Sequence, residues 1–240
     1  MQTPPSLPPK PVTEMWRPEL TRLPRLTPWR RVFRIFMLAA LRIISFFFLK
    51  PTLRGLENIP KHGPALIVIN HLGEADFVLL AAALPVVPDA IGKIELYYLR
   101  VLGRLSDWYG VIWLHRGRAD RRALRAALAA LEEGRVLVIA PEGRYTRMGG
   151  LEPAGNGAAF LALQTGATIV PVAMTGTENS NVYPNMRRLR RTPVTLTAGT
   201  PFHLKPGSDR QANLQAGTER IMKALAGLLP TDYRGVYQTE

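Results

Sequence analysis

The stretch best equipped for chemistry is Asn70-His71-Leu72-Gly73-Glu74-Ala75-Asp76. A histidine faced by an aspartate can act as a general base: the carboxylate fixes the tautomer and favours the charged ring, while the imidazole takes a proton from a hydroxyl. The spacing does not bring the two together by itself. Residues five apart point about 140° away from each other on a regular helix and to opposite faces on a strand. His71 and Asp76 can meet only if the chain turns between them, and Gly73 permits the turn. The spacing taken alone also fits a loop histidine with local hydrogen bonds. Two further clusters stand beside it: His115-Arg116-Gly117-Arg118 and Pro141-Glu142-Gly143-Arg144-Tyr145-Thr146-Arg147. Guanidinium groups bind phosphate through a planar fork, so a base beside them suits a substrate with both a hydroxyl and a phosphate.

Apolar runs locate these clusters. Ala65 to Ile69, Gly110 to Leu114 and Val136 to Ala140 read as buried strands, each ending where a cluster begins. Ala90 to Ile94 is a further strand, and Val194 to Ala198 a late one. Thr168 to Ala173 is a strand containing Pro171, which predicts a bulge or an edge position. Helices are expected over Phe77–Leu84, Leu96–Leu105, Ala119–Glu133 (stopped by Gly134), Gly157–Thr165 and Asp209–Leu229. Arg121, Arg122 and Arg125 fall on the outer face of the third of these. Alternating strands and helices predict a single α/β domain with a mainly parallel sheet flanked by helices, its sites at the carboxyl ends of the strands.

The ordered set Asn-His-x4-Asp (70–76), Gly-Val-Ile-x-x-x-Arg (110–116), Pro-Glu-Gly-Arg (141–144) and Ile-Val-Pro-Val (169–172) resembles the four blocks of the phospholipid/glycerol acyltransferases, to which lysophosphatidate acyltransferases belong. The resemblance runs from about Leu53 to Phe202. It implies that His71 is the general base and Asp76 its orienting partner, with the substrate hydroxyl as nucleophile. It places Asn70, Arg116, Glu142, Gly143, Arg144, Arg147 and Pro171 in substrate binding, with Pro171 shaping the acyl or donor side. It also implies an acyl thioester donor, on coenzyme A or acyl carrier protein, as co-substrate with no other cofactor and no metal. Two departures mark this sequence. His115 stands where the second block usually has an acid, and Arg144 directly follows Gly143 where a threonine is usual, so Arg144 or Arg147 could hold phosphate. An ion pair from Glu142 is expected to position Arg116 or Arg144.

Composition narrows the partners. The 240 residues carry a formal charge of +13, 47% hydrophobic residues and no cysteine. Disulfides, thiolate metal sites and a cysteine nucleophile are excluded. The charge calls for an anionic partner. Residues 1–31 are proline-rich and basic, without the apolar core of a signal peptide, and read as mobile or wrapped along a surface. Residues 32–50 read as an amphipathic membrane-associated helix preceding an acyltransferase domain over 51–240. As a helix, 32–49 would be about 27 Å long against a bilayer core of about 30 Å. Arg30, Arg31, Arg34, Arg42 and Ser45 share an arc of roughly 120°, opposite Phe33, Phe36, Ile43, Phe47 and Phe48. That pattern predicts a helix lying in the interface, its basic stripe toward headgroups, rather than one spanning the bilayer. Lys50-Pro51 ends it. Met186 to Arg191 is a dense basic patch, either a solvated loop or a binder of anionic lipid.

The function these readings favour is transfer of a fatty acyl group from acyl-coenzyme A or acyl carrier protein to the free hydroxyl of a lysophospholipid, 1-acylglycerol-3-phosphate foremost. The expected location is the cytoplasmic face of the plasma membrane. Another lysolipid or polar lipid acceptor is the near alternative. A hydrolase would want a Gly-x-Ser-x-Gly elbow, which is absent. A non-catalytic basic lipid- or nucleic-acid-binding protein is the alternative of a different class, but the aromatics gather in the apolar 32–49 segment rather than on a basic face, so nucleic acid is not expected as a partner.

Overall fold

A computed structural model of the chain describes residues 9–117 and 120–238. Residues 1–8 of the N-terminal segment and Arg118 of the second cluster lie outside the described residues. Seven strands form one sheet in the order β1-β7-β6-β2-β5-β3-β4. They are β1 (Leu49–Arg54), β2 (Ala65–Ile69), β3 (Asp89–Lys93), β4 (Ile112–Leu114), β5 (Val136–Ile139), β6 (Thr168–Thr175) and β7 (Thr192–Ala198). Every neighbouring pair is parallel except β6–β7. The helices are α1 (Pro28–Phe48), α2 (Ala75–Ala83), α3 (Leu102–Tyr109), α4 (Arg121–Glu132), α5 (Gly157–Thr165), α6 (Asn179–Arg187) and α7 (Arg210–Leu228).

Why β2 is wholly apolar follows from its place. It lies at the centre of the sheet, covered on both faces, so alternation has no solvent side to report. Leu66 and Val68 pack with α4, α5 and α7, whereas Ala65, Ile67 and Ile69 pack with Leu79 and Leu80 of α2. The neighbouring strand β5 runs parallel to it, with Val68 opposite Ile139. The residues following β2, β3, β4 and β5 therefore emerge along one edge, where the three polar clusters were expected.

Several expectations need correction. Leu96–Leu105 is not one helix: a 3-10 segment, Ile94–Tyr98, precedes α3. Gly103 lies so close to the Tyr97 carbonyl that a Cβ there would fall 2.1 Å from its oxygen. The helix stops just before Lys50-Pro51, as expected, and Leu49–Arg54 then pairs with β7 as an unexpected edge strand, where a proline is tolerated. Pro171 is not at an edge; it stands where the β6–β7 register slips by one residue, two residues of β6 facing three (199–201), so the bulge alternative fits. It sits inside β6 between β2 and β7, with its nitrogen on the β7 side, where the ladder is already interrupted between Val172–Ala198 and Ile169–Phe202. The basic patch is partly helical, since α6 includes Pro184 and ends at Arg187.

The largest correction concerns α1. It begins at Pro28, about one turn before the expected start, ends at Phe48, and turns part of the expected basic stripe inward. Phe33, Arg34, Leu38 and Ser45 are buried. Trp29, Val32, Ile35, Phe36, Ile43, Phe46 and Phe47 are exposed, the last two by more than 60%. Arg34 turns inward because the loop between α2 and β3 offers acceptors: its Nη2 donates to the Pro88 carbonyl at 2.5 Å and lies 2.9 Å from Asp89 Oδ1. Arg34 also lies over the Tyr109 ring at 4.7 Å. Arg42 reaches the Leu84 carbonyl, though its side chain stays largely in solvent. The expected basic stripe thus divides, and the stripe left open is aromatic. No helix among the described residues is long and apolar enough to cross a membrane.

Breaking a buried ion pair from one side is costly, and removing Arg34 would leave Asp89 only the longer contact to Arg135 at 3.5 Å. Arg34→Met should therefore cost about 3–5 kcal/mol of unfolding free energy, read from urea unfolding curves.

Candidate active site

Leaving β2, the chain turns at Gly73, whose missing side chain is needed because a Cβ would stand 2.5 Å from the Thr177 carbonyl oxygen. The turn brings the carboxylate of Asp76, in the first turn of α2, under the imidazole of His71. His71 Nδ1 donates to Asp76 Oδ2 at 2.7 Å. The same oxygen accepts the main-chain N–H groups of Leu72 (2.8 Å) and Gly73 (3.1 Å). Asp76 Oδ1 accepts Thr177 Oγ1 at 2.5 Å. Asp76 has no exposed surface. With Nδ1 committed, the proton acceptor left on the ring is Nε2, which makes no hydrogen bond among the described residues.

The third cluster holds the His71 backbone. Glu142 Oε1 accepts the His71 N–H at 3.2 Å, and the Thr146 N–H donates to the His71 carbonyl at 2.8 Å. Aromatic rings pack the imidazole from two sides, Tyr145 at 4.2 Å and Phe77 at 5.7 Å between centroids. Burial pushes the Tyr145 hydroxyl up to about 12, helped by the charges of Glu74 and Asp76. Gly143, at φ +71, closes the turn of this cluster in the left-handed region that favours glycine.

A cleft of about 510 Å³ opens beside His71. Its mouth carries His71, Lys93, Arg116, Glu142, Gly143, Arg144 and Tyr145. Its depth is apolar, reaching Ile91, Leu96, Leu114, Leu124, Ala127 and Val138 between the sheet and α4. Asn70, Arg147 and Pro171 do not line it. Asn70 instead grips β6, exchanging 2.8 Å hydrogen bonds with both main-chain groups of Met174. Arg147 is exposed, and its main-chain N–H donates to Glu152.

The expected ion pair from Glu142 is replaced by others. Arg116 Nη2 pairs with Glu95 at 3.1 Å and Arg144 Nε with Glu152 at 2.6 Å. Glu142 accepts main-chain N–H groups instead, from His71 and from Glu152 at 2.8 Å. The reason is burial: Glu142 lies under the loop it organises, and Glu152 stands between it and the guanidinium of Arg144. Sequence reasoning missed Glu95, Glu152, Lys93 and Tyr145. Tyr145 lies inside a cluster and Lys93 inside a strand already singled out, which was the available signal. The two glutamates carried none.

Burial pushes the Glu142 carboxyl up to about 7, and the charge of Glu152 adds to this. Between about 4.5 and about 7 the native state holds a proton that the unfolded chain has released. Stability contributed by Glu142 is therefore full below about 4.5 and falls, by on the order of 3 kcal/mol, as pH rises to about 7. Glu142→Gln should flatten that segment of the curve of unfolding free energy against pH, measured by urea unfolding across pH 4 to 8.

A family model described as Acyltransferase matches residues 50–175. Among curated proteins, the chain is 30% identical over 154 residues to the chloroplastic 1-acyl-sn-glycerol-3-phosphate acyltransferase of Arabidopsis thaliana, covering 62% of this chain and 43% of that protein. It is 33% identical over 112 residues to the lyso-ornithine lipid O-acyltransferase of Pseudomonas aeruginosa, covering 46% of this chain and 43% of that protein. The chain spans about half the length of the curated relatives it matches. The crystal structure of the 1-acyl-sn-glycerophosphate acyltransferase PlsC of Thermotoga maritima superposes with a TM-score of 0.64 at 24% identity, covering 85% of this chain and 84% of that one, a likeness of fold. The match over 50–175 takes in β1 to β6 and the loops that build the His71 cleft, and the chain belongs to the acyltransferase family.

Proposed function

We propose that the chain transfers an acyl group from a thioester to the hydroxyl of a lysophospholipid, 1-acylglycerol-3-phosphate foremost. The observation that carries this reading is the His71–Asp76 pair: one ring nitrogen fixed by a buried carboxylate, the other uncommitted in a cleft with cations at its mouth and apolar walls below. The acceptor hydroxyl gives its proton to His71 Nε2 as its oxygen attacks the thioester carbonyl. Asp76 stabilises the imidazolium that forms. The tetrahedral adduct then expels the thiolate, the C–S bond breaks, and the imidazolium returns the proton to sulfur. Coenzyme A or acyl carrier protein carries the acyl group as co-substrate. The cations at the mouth suit the acceptor phosphate, and the apolar depth suits an acyl chain.

The reading places the protein on a membrane surface, where both lipids reside, and the expected side is the cytoplasmic face. The supporting observation is α1. Its outward stripe of Trp29, Val32, Phe36, Ile43 and Phe47 recurs at helical spacing and is exposed among the described residues, and a contiguous apolar face of this kind is costly in water. A second acceptor reading is a lysolipid without phosphate. It is favoured by the similarity to the lyso-ornithine lipid enzyme and by the pairing of Arg116 and Arg144 with glutamates.

Purified protein given lysophosphatidate and a long-chain acyl-coenzyme A should form phosphatidate. His71→Ala should lower the rate by about 10²–10⁴-fold with folding intact; equal rates would sink the mechanism. If lyso-ornithine lipid is acylated and lysophosphatidate is not, the second reading holds. Phe36→Ser combined with Phe47→Ser should weaken co-sedimentation with phospholipid vesicles by at least about 10-fold, since each buried phenylalanine contributes about 1.5–3 kcal/mol.

A further inference from the structure

Residues before α1 lie outside the segment matched to the family, yet two of them, Lys10 and Pro11, line the cleft. From Pro9 the chain runs as a strap across the second and third clusters. The Pro9 carbonyl accepts from Arg144 Nη1 at 3.2 Å, and Lys10 Nζ donates to the Pro153 carbonyl at 3.0 Å. Val12 packs on Gly117 so closely that a Cβ there would fall 2.5 Å from Val12 Cγ2. The Thr13 N–H donates to the Arg116 carbonyl at 3.0 Å, and the Arg116 N–H donates back to Thr13 Oγ1 at 2.8 Å. Thr13 Oγ1 donates in turn to Glu95, the partner of the Arg116 guanidinium.

The strap is fastened on a second His-x4-Asp pair. His115 Nδ1 lies 2.8 Å from Asp120 Oδ2, which also accepts the His115 N–H at 3.1 Å. This repeats the geometry of His71 and Asp76, but here the second nitrogen is taken. His115 Nε2 accepts the Arg17 N–H at 2.9 Å, and the Trp16 ring lies 4.5 Å from the imidazole. His115 is 1% exposed. A dyad of the same construction therefore does no proton transfer here; it holds a main-chain N–H.

Seated in this way, Lys10 lines the cleft with His71 and Arg116. The two arginines of the mouth each face a glutamate, and Lys10 does not: among the described residues no carboxylate lies within ion-pair distance of it. One carbonyl takes one of its three donors. Burial lowers the pKa of its ammonium, the charge of Arg144 lowers it further, and Glu142 and Glu152 act against this from farther off. Such a cation gains from an incoming anion. We infer that Lys10, delivered by a strap that the His115–Asp120 pair fastens, binds a phosphate ester of a substrate in the His71 cleft. The substrate, though not the anion site, rests on the acyltransferase reading. Two phosphate sources meet the chemistry, the acceptor headgroup and coenzyme A.

The test is calorimetric binding to the full chain of two probes separately, a short-chain water-soluble lysophosphatidate and coenzyme A. Lys10→Met should weaken one of them by roughly 10- to 100-fold, the worth of a hydrogen bond to a charged group, and Lys10→Arg should keep most of the affinity. Arg17→Pro removes the N–H held by His115 and is incompatible with the φ of −130° at that position, so it unfastens the strap without changing the identity of any cleft side chain, and should reproduce the loss with a native circular dichroism spectrum. Loss confined to lysophosphatidate assigns the phosphate to the acceptor, and loss confined to coenzyme A assigns it to the donor. Equal binding of both probes by wild type and Lys10→Met, or no binding of either by wild type, overturns the assignment. Because binding needs no turnover, a protein that binds a probe through Lys10 but transfers no acyl group would sink the acyltransferase reading and leave the anion site standing.

Discussion

A carboxylate with no exposed surface must be met by donors from every direction it can reach. Asp76 is that carboxylate, and the shape of the site follows from its needs. Two of its donors are the N–H groups of Leu72 and Gly73, which force the turn after β2 to curl over it. The third is the His71 ring, and the fourth is Thr177, from the loop after β6. Supplying that hydroxyl brings the β6 loop so near that Gly73 can carry no side chain. Asn70 makes a second tie to the same strand through the backbone of Met174. The histidine is thus aimed by two strands that are neighbours in the sheet and far apart in the chain.

Charge is distributed in the cleft by the same logic. Each arginine brought to the mouth is drawn against a glutamate, because an unpaired buried guanidinium would be costly. Pairing fixes the side chains but spends their charge locally. Glu142, close to the imidazole, has no such partner and is held between main-chain N–H groups, where burial favours its protonated form.

The N-terminal helix shows how buried polarity can orient a surface. Arg34 points into the protein toward Pro88 and Asp89, Tyr109 covers it, and Arg191 of the α6–β7 turn donates to the Leu49 carbonyl at the far end of the helix. Once those polar anchors are placed, the rotation of α1 about its axis is set. The large apolar side chains on the opposite arc are then left exposed, with Arg191 lying over the Phe46 ring at 5.3 Å.

The sequence by itself determined the elements with local causes. Continuous β-branched runs identified β2, β4 and β5 because a strand covered on both faces needs no alternation, and leucine spacing with terminal glycines located α4 and α5. The motif blocks at the strand ends located His71 and Asp76, since their meeting depends on a five-residue turn. Only the tertiary structure decided matters settled by distant partners. The inward turn of Arg34 depends on carbonyls of the α2–β3 loop. The central place of Pro171 depends on β7 leaving the ladder at that point. The glutamates that neutralise Arg116 and Arg144 lie in segments whose composition announces nothing, and the proline-rich, basic composition of the strap pointed to a mobile or surface-wrapped segment but not to its seat on His115. Spacing within a segment reports the period of the backbone. Which charge meets which is fixed by desolvation when segments pack, and no local pattern records it.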